Sequence, residues 1–119
     1  MLKFFVKQDE EFEKASLKAA KKFGLDAKEI DFVSYDNFLW SLVFMLAISG
    51  KKAYLLSTDN KKPETFDLRD IDKIYIEKKT DLNLLIKGGR VINLTSVVGV
   101  KPKVMKLVNR LGEELKNLR

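Results

Sequence analysis

The densest set of metal-capable side chains in this 119-residue sequence is Asp67, Asp70 and Asp72, within the run DLRDID. A hard divalent cation needs several converging oxygens, and on a strand Asp70 and Asp72 fall on one face. Arg69 and Lys73 stand beside them, so the pattern predicts surface ion pairing in place of a metal site. There is no histidine and no cysteine. That removes serine and thiol triads of the usual kind, histidine or thiolate zinc centres, iron–sulfur clusters and disulfides. No Walker loop or dinucleotide fingerprint is present, and Gly88-Gly89 reads as a hairpin, not a phosphate cradle. Catalysis usually needs a titratable group tuned near neutral pH. None stands out, so the sequence reads as a non-enzyme with no catalytic residue, cofactor or metal.

Charge is the chemistry that remains. Twenty-three basic side chains face seventeen acidic ones, a net charge of +6. The excess is uneven: residues 1–50 hold seven basic and eight acidic side chains, and residues 51–119 hold sixteen and nine. A positive field attracts phosphate-bearing partners and also keeps a small protein soluble. Lys51, Lys52, Lys61, Lys62, Lys78 and Lys79 fall at or beside expected turns and are the candidate contacts to an anionic membrane surface or a protein partner. Nucleic acid is the competing partner. Tyr54, Phe66 and Tyr75 are the only aromatics after Gly50, and no aromatic-rich motif supplies base stacking. A structural or assembly protein with no small ligand is the third reading.

The most apolar run is FLWSLVFMLAI, residues 38–48. As a helix its eleven residues would span about 16 Å, roughly half a bilayer core, so it does not cross a membrane. It is either helix or strand, and either core, a homodimer interface or an anchor, with core expected. Trp40 and Phe44 sit four apart and Lys51-Lys52 follow, the pattern of a partner or membrane patch.

These residues need a scaffold, and 119 residues with 45% hydrophobic and 34% charged side chains suit one compact domain. Residues 2–7 alternate as a short strand. Asp9 reads as the N-cap of a helix over residues 10–23, with Lys21-Lys22 in its last turn and Gly24 as a left-handed C-cap. Phe12, Ala15, Ala19, Ala20 and Phe23 give its buried stripe. Asp26 and Glu29 have capping-box spacing, so a helical turn precedes a strand through residues 30–35. No apolar leader is visible near Met1. With zero cysteines, a cytoplasmic location is expected.

In the second half, residues 52–58 and 65–68 read as strands around a turn at residues 59–63. Ile74, Ile76, Leu82, Leu84, Ile86, Ile92 and Leu94 all occupy even positions. A three-residue loop at Lys87-Gly88-Gly89 pairs Ile86 with Arg90, Leu84 with Ile92 and Leu82 with Leu94. Every even residue then faces one core, whereas a two-residue loop scatters them. The same logic at Lys79-Thr80-Asp81 pairs Ile76 with Leu84 and Ile74 with Ile86. Pro102 suits the first turn of a closing helix, with Val104, Leu107, Val108, Leu111, Leu115 and Leu118 as its apolar stripe.

Two resemblances rest on these segments. The first helix, the run GLDAKEIDF and the following strand resemble the N-terminal domain of the Jag family of RNA-associated bacterial proteins, over less than a third of the chain. KKAYLLSTDNK, FDLRDIDKIYIEKK, LNLLIKGGRVINL and the terminal helix resemble bacterial pleckstrin-homology-like domains, relatives of the GRAM domains, over residues 51–118. The second resemblance implies an α+β fold, an antiparallel meander curved into a partly closed roll and closed by the C-terminal helix. It carries over no ligand site, and the helix near the N-terminus departs from its pattern.

Overall fold

The computed structural model describes residues 2–7, 10–38, 41–57, 62–78, 81–95, 106, 108–110, 112 and 113, with the backbone alone for residues 2–6, 38 and 95. The fold is α+β. A five-stranded sheet has the order β1-β2-β3-β4-β5, with β1 Leu2–Val6, β2 Ile30–Phe38, β3 Ser41–Ser49, β4 Lys52–Ser57 and β5 Glu64–Asp67. A three-stranded sheet has the order β6-β7-β8, with β6 Ile71–Glu77, β7 Asp81–Ile86 and β8 Arg90–Thr95. The strands thus form two sheets in place of one continuous meander. The chain divides into two compact units, a first of Lys3–Phe66 and a second of Asp67–Arg119 together with Met1–Leu2. The division after Phe66 is not where the charge balance changes, because β4 hydrogen-bonds to β3 and stays with the first unit.

In the first unit, α1 (Phe12–Phe23) begins two residues later than its charge pattern suggests, with Glu11 at the N-cap position and no side-chain cap bond. Asp9 lies outside the described residues. Gly24 closes the helix in the left-handed region at φ 68°, its N–H bonded to the Ala20 carbonyl. Ala15 and Ala19 are buried against Ile30, Val33, Met45 and Ala47, with Phe12, Ala20 and Phe23 at the edges of that cluster. Small side chains at one-turn intervals let the helix lie close on the sheet.

The pairing of β2 with β3 and of β3 with β4 is antiparallel. Val33 pairs with Ala47, which pairs with Tyr54, along the helix-covered face. Phe32, Phe44, Leu46, Ile48, Ala53 and Leu55 point to the other face and are 4% exposed or less. A strand buried on both faces loses its polar alternation, which is why residues 42–48 read as an unbroken apolar run. Among the described residues of the run, Phe38 ends β2 and residues 41–48 lie in β3.

A two-residue turn, Gly50-Lys51, joins β3 to β4, with Ser49 and Lys52 as its closing pair and Gly50 at φ 61°. Left-handed backbone at the first turn position is costly for side chains other than glycine's.

Two strands begin with the same device. Leu25-Asp26-Ala27-Lys28-Glu29-Ile30-Asp31 and Phe66-Asp67-Leu68-Arg69-Asp70-Ile71-Asp72 share the order apolar, Asp, small or apolar, basic, acidic, Ile, Asp. Asp26 Oδ1 accepts the Lys28 N–H at 3.0 Å, and Asp67 Oδ1 accepts the Arg69 N–H at 2.9 Å. Each aspartate caps a one-turn 3₁₀ helix, Ala27–Glu29 or Leu68–Asp70. Ile30 and Ile71 follow at 0% and 1% exposure. The register then shifts at the next residue, between Ile30 and Phe32 and between Ile71 and Lys73. A capped turn, a buried isoleucine and a bulge thus launch a three-strand meander in each unit.

In the second unit the pairs Ile86–Arg90, Leu84–Ile92 and Leu82–Leu94 match the parity argument, with Gly88 and Gly89 at φ 97° and 90° in the three-residue loop. The other hairpin differs from expectation. Ile76 pairs with Leu82 and Ile74 with Leu84, so its loop is residues 78–80 and Asp81 lies on β7 opposite Glu77. The slip is two residues, which keeps even residues on one face, so the apolar pattern alone cannot separate the two registers. Lys78 carries the positive φ of 54° that starts this loop, and the bulge after Ile71 brings it opposite Ile86.

Lys106, Val108, Asn109, Arg110, Gly112 and Glu113 have helical backbone. Val108 is fully buried. A Cβ added at Gly112 would lie 3.2 Å from the Ile74 carbonyl oxygen and 3.6 Å from its Cγ2, so this stretch lies close on β6. Pro102, Val104, Leu107, Leu111, Leu115 and Leu118 lie outside the described residues.

Candidate functional site

Of the carboxylates that stood out in sequence, that of Asp67 is taken up by its own turn, and Asp70 engages through its backbone carbonyl. Asp67 caps its 3₁₀ turn and contacts Arg69 Nε at 3.5 Å, and the Asp70 carbonyl accepts the Lys87 N–H at 2.7 Å. Among the described residues no three carboxylates gather as a metal site. Among the described residues the buried polar side chains are Ser16, Ser34, Asp36 and Asn83. Ser16 Oγ donates to the Glu13 carbonyl at 3.0 Å, and Asn93 Nδ2 donates to Asn83 Oδ1 at 2.7 Å across β7 and β8. These bonds hold a helix turn and a strand pair.

The apolar candidates separate. Phe44 is 1% exposed and belongs to the core, so it is withdrawn from the surface patch. It lies on β3, where residues four apart share a face by strand alternation and not by a helical stripe. Trp40 lies outside the described residues.

The candidate lysines also separate. Lys51 and Lys52 are exposed at the β3–β4 turn, and Lys62 is exposed ahead of β5. The six-residue β4 lies between them, a strand length of about 20 Å. Lys78 is exposed in the second unit. Lys61 and Lys79 lie outside the described residues. Among the described residues, Lys51-Lys52 and Lys62 therefore lie at opposite ends of β4 and do not form one patch.

The fold instead gathers lysines from both halves of the first unit at the β3–β4 turn. The α1 C-terminus rests over the start of β4, because the Phe23 and Tyr54 rings lie 5.8 Å apart between centroids, tilted by 36°. The turn after α1 feeds Ile30, which pairs with Ser49, which pairs with Lys52. Ser49 Oγ fixes that row by donating to the Glu29 carbonyl at 3.0 Å. Lys21 and Lys22 in the last turn of α1, Lys28 in the 3₁₀ turn, and Lys51 and Lys52 therefore share one end of the sheet, all exposed.

Three carboxylates are nearby. Asp26 caps the turn, Asp31 pairs with Lys7 at 2.7 Å, and Glu29 is exposed. Among the described residues none of the five lysines forms an ion pair. Sequence reading missed Lys21, Lys22 and Lys28 because they lie in the half whose net charge is slightly negative. The signal was present in the helix end and the glycine turn, which place them beside Lys51.

No family model matches the chain, and comparison with curated proteins and solved structures gives no match. Among the described residues no helix is long and apolar enough to cross a membrane.

Proposed function

We propose that the protein is a non-catalytic binding module of the pleckstrin-homology-like kind, acting in the cytoplasm and docking through lysines on a protein or an anionic membrane surface. The observation that carries the reading is the set of exposed lysines at turns, Lys51, Lys52, Lys62 and Lys78, which make no ion pair among the described residues. An ammonium on a turn tip costs little to bring to an anionic surface and is worth about 1 kcal/mol there. The pleckstrin-homology-like roll with a closing helix is supported by the β6-β7-β8 meander and by the approach of Gly112 to Ile74.

Flotation with phosphatidylcholine vesicles, with and without about 30 mol % phosphatidylserine, tests the docking step. Recovery with the anionic vesicles alone, lost between about 0.05 and 0.5 M salt, is the expected result, because exposed charges are screened over that range. Retention of RNA on a filter with no vesicle recovery would replace this reading with nucleic-acid binding.

A further inference from the structure

We infer that the docking face is the end of the first unit formed by Lys21, Lys22, Lys28, Lys51 and Lys52, and that its partner is the headgroup plane of an anionic bilayer. This rests on the docking reading above and replaces its scattered loop lysines with one face. Three separate elements contribute, the last turn of α1, the 3₁₀ turn and the β3–β4 turn, held together by the Phe23–Tyr54 contact and the Ser49–Glu29 bond. The helix macrodipole alone favours Lys21 and Lys22 at a C-terminus, but it accounts for neither Lys28 nor the turn pair.

The composition of this end selects the partner. It holds lysines and no arginine, so it presents point charges without the bidentate fork that reads a defined phosphate or carboxylate. Its aromatic rings among the described residues, Phe23 and Tyr54, are half-buried against each other, so neither is presented for stacking on bases. Protein interfaces centre on a desolvated aromatic or arginine anchor, and among the described residues this end offers none. Gly24 and Gly50, both exposed, keep its profile low. A laterally fluid plane of anionic headgroups needs only the summed field.

The test is vesicle partitioning of the full chain, comparing Lys21→Gln/Lys22→Gln/Lys51→Gln/Lys52→Gln with Lys62→Gln/Lys78→Gln. Glutamine keeps helix propensity close to that of lysine. The quadruple variant should lose about a hundredfold or more in partitioning onto phosphatidylserine-containing vesicles, and the double variant no more than about threefold. If the quadruple variant fails to fold by circular dichroism, Lys51→Gln/Lys52→Gln alone decides, with a loss of about tenfold expected. Unchanged partitioning of the basic-end variants, or an equal loss in the Lys62/Lys78 variant, overturns this face and leaves anionic docking intact. Failure of the unmodified chain to bind these vesicles, with or without retention of RNA, overturns this face and the anionic-membrane docking it rests on.

Discussion

Phe44→Ala should lower unfolding free energy by about 3–5 kcal/mol, the cost of removing a buried phenyl group and leaving its cavity. Phe44 sits in the middle strand of β2-β3-β4, between Asp36 and Ser57, at 1% exposure. On an exposed anchor the same change would cost under about 1 kcal/mol and would weaken membrane or partner binding. Urea denaturation separates the two, because a lost core contact lowers the midpoint at an unchanged slope. A midpoint within error of the unmodified protein would return Phe44 to the surface.

Leu84→Ala should cost about 2–5 kcal/mol, whereas Leu85→Ala should cost about 1 kcal/mol. The residues are neighbours on β7 with opposite directions. Leu84 is flanked by Ile74 and Ile92 and is 1% exposed, while Leu85 lies between Lys73 and Val91 and is half-buried. Val91, on the same face as Leu85, is 51% exposed. Equal losses at the two positions would contradict the assignment of even residues to the core.

Local pattern was informative where one face of an element meets water. α1 was legible from its apolar spacing, its terminal lysines and Gly24, and the β7–β8 register from the parity of Leu82, Leu84, Ile92 and Leu94. Where burial extends to both faces, as in β3, alternation disappears, and the strand could not be told from a helix. Parity also tolerates shifts of two residues, so it placed the right faces together in β6 and β7 and still gave the wrong partners.

The pairing of β3 with β4 depends on a turn whose only sequence mark is Gly50. Without that turn, neither the division after Phe66 nor the gathering of Lys21 and Lys22 with Lys51 and Lys52 could be seen. The helix end and the turn are about thirty residues apart, a separation that periodicity within a window does not bridge.

The repeated turns before β2 and β6 carry a related lesson. DLRDID drew attention as a carboxylate cluster, yet its counterpart DAKEID uses the same first aspartate as a cap. The match between the two segments assigns Asp67, like Asp26, to capping the backbone.

Amide hydrogen exchange on the full chain with and without phosphatidylserine-containing vesicles tests the docking account most directly. Slower exchange is expected in residues 21–30 and 49–53, where headgroup contact would screen the turns that carry Lys21, Lys22, Lys28, Lys51 and Lys52. Protection confined to residues 62–66 or 77–81, or no protection anywhere, would contradict it.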